Sequence, residues 1–430
     1  TLISRTISTT NLIDTKGNVI DQQTDRFVAG ASGILTLVTS AMTHNGDIDS
    51  RGDAYSQEIT TFTTDAAGVK TQTDYQAITS RAFDVRHNVL NQTISHYDDK
   101  SGTFIDAQEI RYLGFHPSGT ALYQAVVTYA DEARTQVIGA QEIVNSDINS
   151  TGNVGRSEVT TYRRAEIAND PDVAGDKDGA ITLIGALDIQ IIETDMADFD
   201  PRGNALKQTI TKDYLGDDGV TVMSSDTQSI TNDPYDIHDR TTRSIILNYE
   251  GKGDTKTFTD AQEISYLQYD VYGNSERQAI DTYSTADMAS GSLTSHKTIE
   301  NDYGAPGDTI AVLLADGSTS NKSAVYARKK GNPLSSTVTD YTGKTESSDT
   351  LISRTISTTS LFDPRGNAID QKTDRYVADS SGALTLVTGA MTLGLGLALL
   401  LDRPGRLFAF VRGAIFSAYV VSWVAVALLW

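Results

Sequence analysis

The residues in this 430-residue chain best suited to chemistry are carboxylates. The densest group lies in Asn169 to Ala186, NDPDVAGDKDGAITLIGA. There Asp176 and Asp178, followed by Gly179 and Ile181, have the spacing of half a calcium loop, in which alternate positions supply oxygen ligands and glycine makes the sharp turn. The other half is missing. Ala174 stands at the first ligand position and Gly185 at the twelfth, where a carboxylate and a bidentate glutamate are needed. A calcium site at Asp176 and Asp178 and a plain acidic loop both stay open. No other metal and no cofactor is expected. The six histidines are scattered without HExxH spacing, and cysteine is absent, which excludes disulfides, thiolate metal sites and cysteine nucleophiles. There is no G-x-S-x-G elbow and no phosphate loop. No catalytic residue can be named, and a non-enzymatic protein is expected.

Two side-chain rows remain. Gln recurs at Gln22, Gln57, Gln92, Gln124, Gln208, Gln278 and Gln371, and aromatics recur at Phe27, Phe62, Tyr97, Tyr129, Tyr162, Tyr249, Tyr283, Tyr341 and Tyr376. The glutamines could form a ligand track or a hydrogen-bonded amide ladder. The aromatics could stack sugars or pack between layers.

Both rows are set by one recurring element. Its clearest copy is FDPRGNAIDQKTDRY, Phe362 to Tyr376. In Asp363-Pro364-Arg365-Gly366-Asn367 the Asp carboxylate can accept from the backbone two residues on, Pro presets φ, and Gly supplies positive φ. This predicts a β-hairpin tip with a G1 bulge. The structural turn residues are Asp14 and Gly17, Asp200 and Gly203, Asp270 and Gly273, and Asp363 and Gly366. Weaker copies start at Asp49, Asp84, His116, Asn149, Asp236 and Arg328. If the first turn residue pairs with the fifth, the residue six before the tip faces the one ten after its start. That predicts the pairs Ile78 with Ile94, Ile110 with Val126, Ile143 with Val159, Ile230 with Ile246 and Ile264 with Ile280, the β-branched pairs that fix register. Gln and aliphatics share one face, aromatics the other, so neither face reads as simply solvated.

The expected fold is an all-β repeat array, a long antiparallel meander or coiled, solenoid-like sheet of β-hairpins. A flat sheet of that width is rare, so it must twist, coil or close. Apart from the acidic insertion already described, a second near Ala305 to Ser320 predicts one extra apolar strand, Thr309 to Leu314. Residues 1 to 43 and 350 to 392 are near duplicates, identical at 32 of 43 positions, which nests the small units in a 349-residue period. A net charge of −21 argues against nucleic acid as a partner. The chain opens at Thr1 without a charged-then-apolar leader and reads as a fragment of a longer protein. Self-association or a surface ligand stays open.

The DxxGN-plus-aromatic repeat resembles the YD-repeat family of large secreted and cell-surface β-proteins, which includes the Rhs type. FDPRGNAIDQKTDRY and YVADSSGALT carry the resemblance, which covers most of residues 1 to 390. The family's usual unit is shorter, and its Tyr-Asp pair is often Phe-Asp or Ile-Asp here. The resemblance implies strands that coil into a spiral shell.

Tandem β-hairpins are thus expected over 1–392 and a hydrophobic tail over 393–430, with the apolar run starting near residue 382. Gly382 to Leu401 has no charge, and Ala414 to Trp430 is uncharged and mostly apolar, so an α-helical hydrophobic hairpin is expected there. Arg403, Arg406 and Arg412 between them place that loop in the cytoplasm and the array outside. GLALLLDRPGR and FVRGAIFSAYVVSW resemble the permease subunits of sugar-type ABC importers, without their coupling-helix segment. The tail is either a membrane anchor or a junction after Thr392. Three functions follow: a structural or adhesive piece of a giant extracellular or cell-surface protein, a truncated permease fused to unrelated repeats, or the shell region of a YD-repeat toxin.

Overall fold

The computed structural model describes residues 3–30, 32–100, 102–168, 179–252, 255–305, 307–314 and 316–393. Its strands form one 23-stranded sheet. From Ser4–Ile13 to Leu293–Asp302 each strand pairs antiparallel with the next in the chain. Ser335–Tyr341 takes the following place, and Leu351–Phe362, Ala368–Ala378 and Leu384–Leu393 complete the meander. The extra strand Thr309–Leu313 pairs with Thr319–Ser323 and runs parallel to Leu351–Phe362 through Ala311 and Val312.

Local chemistry makes the tips. One Asp14 carboxylate oxygen accepts from the backbone N–H groups of Lys16 and Asn18, both at 2.8 Å, and the other accepts from the Asn18 side chain at 2.9 Å. Asp200, Asp270 and Asp363 make the same three bonds. Gly17, Gly203, Gly273 and Gly366 all lie near φ +92°, where a Cβ is strained. At the copy starting with Asp84, His87 takes this left-handed place at φ +68°.

Register follows from the tips. The five predicted aliphatic pairs are directly opposed. The copy at Asp200 departs: Ile210 faces Ile192, because the 3-10 turn Met196–Asp198 sits before the tip. The copy at Arg328 is no hairpin tip. Arg328, Lys329 and Lys330 end the short helix Val325–Lys330, and Gly331 is its left-handed C-cap at φ +70°. Gly-Asn fits both structures, since each needs one residue at positive φ.

The expected C-terminal α-helical hydrophobic hairpin is corrected. Leu384–Leu393, inside the uncharged run taken as the first span, is a strand paired with Ala368–Ala378. Among the described residues no helix is long and apolar enough to cross a membrane. Leu384–Thr392 nearly repeats Leu35–Thr43, itself strand, and its hairpin partner satisfies its backbone. The transmembrane and permease assignments fall with it, and the rest of the permease-like stretch, 394–430, lies outside the described residues.

Most strand residues are half-buried on both faces, as in a single-layer sheet. The clearest apolar core gathers Ile105 with Ile310, Val312, Tyr326, Ala327 and Phe362. Ile105 lies some two hundred residues before the rest, so this core joins distant parts of the sheet.

Candidate functional site

The sheet coils back on itself. Arg26 pairs with Asp239, Lys329 with Asp74, and Lys330 with Asp106. Lys322 Nζ donates to the Phe104 carbonyl at 2.8 Å, Lys329 Nζ to that of Tyr97 at 2.7 Å, and Arg365 Nε to that of Ile138 at 2.8 Å. These contacts join residues 213 to 255 positions apart, so one turn of the coil takes about that length of chain. The sense is constant. Hairpin tips, or the helix that replaces one together with the strand Thr319–Ser323 before it, descend from the second turn onto the opposite rim of the first. Accumulated strand twist supplies the curvature.

The seam is built from basic side chains that reach carboxylates and backbone carbonyls alike. The helix carries Arg328, Lys329 and Lys330 in its last turn, where cations suit the helix dipole. Arg328 ties the helix within its own turn, to Asp270 at 2.7 Å and to the Gly304 carbonyl. Lys329 and Lys330 reach across. Burial would raise the Asp74 pKa, but hydrogen bonds from His96 and Lys329 outweigh it and hold Asp74 at about 2. Tyr326, buried in the core, has its pKa raised by desolvation and donates to the Pro364 carbonyl at 2.8 Å. Adjacent tips are linked along the rim as well. Arg202 Nη1 donates to the Asp236 carbonyl at 2.8 Å, and Arg240 Nη1 to that of Asp270 at 3.0 Å.

Clefts of about 550 and 460 Å³ open along the seam. Asp74, His96, Asp106, Lys329 and Lys330 line the first, but their charges already pair with one another. A second polar centre lies within the first turn. Glu109 is fully buried and accepts from Arg81 at 2.5 Å, Arg111 at 2.5 Å, Arg134 at 2.6 Å and Thr93 at 2.8 Å. Burial opposes its ionisation, but the Arg81 and Arg111 contacts lower its pKa overall. Its Ala-Gln-Glu-Ile context repeats at Glu142 and Glu263, so the sequence alone does not single it out.

The tip residues named from sequence, Asp14, Gly17, Asp200, Gly203, Asp270, Gly273, Asp363 and Gly366, all sit on one rim. Asp176 and Asp178 lie outside the described residues. Among the described residues no group of three or more acidic or histidine side chains could hold a metal ion. The glutamines do not form a ladder: Gln57 faces Ile78, Gln92 faces Ile110 and Gln124 faces Ile143. Their amides bond neighbours such as Asn45 and Tyr112. Tyr129 and Tyr283 of the aromatic row are buried, and Tyr97 packs edge-on against Phe104 at 5.6 Å.

The class defined by these features is a coiled all-β repeat array with a tip-on-rim seam. No family model matches the chain, and no curated protein matches it. Among solved structures it is similar to TcdB2-TccC3, at 11% identity and a TM-score of 0.18, over 88% of this chain and 22% of that one. TcdB2-TccC3 without its hypervariable C-terminal region matches at 12% identity and a TM-score of 0.13, over 85% and 23%. The TcdB2-TccC3-Cdc42 structure matches at 12% and 0.12, over 91% and 26%. The chain thus spans about a quarter or less of the first two matched chains. At these TM-scores the likeness carries no weight, and the fold rests on the pairings above.

Proposed function

We propose that this chain is a structural wall segment of a larger extracellular β-repeat shell, of the YD-repeat toxin type, with no catalytic role of its own. The carrying observation is the seam. A linear adhesive stalk needs contacts only between neighbouring repeats. Here charged groups of a tip and of the helix bridge more than two hundred residues and lock one turn of sheet onto the next, which is how a sheet becomes a wall around a space. The DxxGN-plus-aromatic unit supports the same reading, because family members that carry it are built as spiral shells. Electron-microscopic imaging of the full chain tests it. The expected particle is a curved wall closed over one turn. A flat ribbon, roughly 100 Å wide for the strands of the meander at the usual spacing, or a straight fibre would overturn it.

A further inference from the structure

One row of side chains crosses five strands. Ile245, Glu263, Asp281, His296 and Tyr341 each stand directly opposite the next. Just after Tyr341 the segment 342–350 turns back over this row. It closes on itself: the Thr342 N–H donates to the Thr350 carbonyl at 2.8 Å, and the Thr350 hydroxyl to that of Thr345 at 2.5 Å. Two of its side chains reach the sheet. Lys344 Nζ lies 2.6 Å from the Asp281 carboxylate and 3.4 Å from that of Glu263. The Glu346 carboxylate lies 3.4 Å from the Arg277 guanidinium and 3.7 Å from His296 Nε2.

His296 is the pivot. It is buried, and its Nδ1 lies 2.6 Å from the Asp281 carboxylate. A carboxylate only accepts, so Nδ1 carries a proton. In the neutral imidazole Nε2 is then a bare acceptor. It is buried without a hydrogen bond and faces another acceptor, the Glu346 carboxylate. A second proton makes Nε2 a donor and His296 a cation between two carboxylates. The charges around it are otherwise matched. Asp281 and Glu263 share Lys344, Glu263 also holds Arg243 at 2.7 Å, and Arg277 meets Glu300 as well as Glu346. On the other side Tyr341 presents its ring at 5.7 Å, and Arg354 stands on the strand beyond, opposite Thr339. Of these side-chain types, imidazole is the one that changes charge between pH 8 and 5.

We infer that 342–350 is a pH-responsive strap, which clasps the sheet when His296 carries both protons and loosens as the second leaves, uncovering Glu263 and Asp281. Closure takes up a proton, so it strengthens as pH falls and weakens as pH rises. The segment 130–136 is a control within the same chain. Its Arg134 reaches Glu109, which shares the Ala-Gln-Glu-Ile context of Glu263, at 2.6 Å, and a guanidinium keeps its charge throughout this range. The inference is independent of the shell reading.

Hydrogen–deuterium exchange of the full chain at about pH 5.5 and about pH 8 tests it, with labelling times scaled to the intrinsic exchange rate at each pH. The expected result is roughly tenfold greater protection of 342–350 at the lower pH, the worth of one charge-assisted hydrogen bond, with 130–136 unchanged. In Glu346→Gln the amide carries no charge to attract the imidazolium, and its NH2 can donate to the bare Nε2, so protection of 342–350 should no longer depend on pH. Glu346 is exposed on the strap, so this variant leaves the sheet intact. Equal protection of 342–350 at the two pH values, greater protection at the higher one, or a pH response that survives in Glu346→Gln overturns the proposal. A matching response in 130–136 also overturns it, because the change would then belong to the whole sheet.

Discussion

Residues 1–43 and 350–392 nearly share a sequence, yet they occupy opposite environments. Their hairpins are the same: Ser4 faces Val28 as Ser353 faces Val377, and Ile13 faces Val19 as Phe362 faces Ala368. Their tips make the same carboxylate bonds within 0.1 Å. What differs is the surroundings. Leu12 and Ile13 are 51% and 57% exposed, whereas Phe362 is 2% exposed. Phe362 packs with Val312 from the insertion and with Tyr326 and Ala327 from the helix that follows it, and Arg365 reaches the rim of the first turn. Repeat sequence therefore fixes the hairpin, and the insertion with the coil decides which copy is buried.

Truncation at equivalent positions gives the largest expected contrast. Phe362→Ala should cost about 3–5 kcal/mol by emptying a packed site, while Ile13→Ala, the same position in the other copy, should stay within about 0.5 kcal/mol. Urea unfolding followed by circular dichroism measures both. Similar losses in the two variants would break the contrast.

The seam itself should fail in acid. Folded Asp74 releases its proton more readily than the ordinary carboxylate value of 3.8, at about 2. Its stabilising contribution is therefore complete above pH 3.8 and is lost as pH falls through about 2. Asp74→Asn should lower stability at neutral pH by about 2 kcal/mol, leaving the Lys329 ammonium without its carboxylate, and should abolish that part of the acid transition. Amide exchange at Tyr97 and Lys329 reads the loss locally, and an unchanged acid profile in the variant would contradict the assignment.

The smallest expected effect is the most pointed. Ile13→Phe, which gives the exposed copy the residue of the buried one, should change stability by less than about 0.5 kcal/mol, because nothing at Ile13 receives the ring. A gain comparable to the Phe362→Ala loss would mean that side chain, not surroundings, sets the difference.

Legibility in the sequence followed the range of the interaction. The tips were readable because Asp, Gly and Asn act within five residues. Register was readable because Ile78 and Ile94, or Ile264 and Ile280, lie only sixteen apart and mark their own pairing. The helix at Val325–Lys330 was missed because its C-cap Gly331 gives the same Gly-Asn signal as a tip. Leu384–Leu393 was misassigned because an uncharged strand running into an apolar tail imitates a membrane span. Its likeness to Leu35–Thr43 was the signal that could have decided it. The seam had no local signature: Asp74 and Lys329 meet across 255 residues through accumulated sheet twist, and Glu109 meets Arg134 only through the loop that returns it.

The most direct measurement of the coil is a spin-label distance across the seam. Ala67 and Ile237 line one cleft between the turns, although they are far apart in sequence. With Ala67→Cys and Ile237→Cys labelled in the cysteine-free chain, double electron-electron resonance should give a single short separation. In an uncoiled meander nine strands would lie between them, more than about 40 Å. A distribution centred there would contradict the tip-on-rim wall.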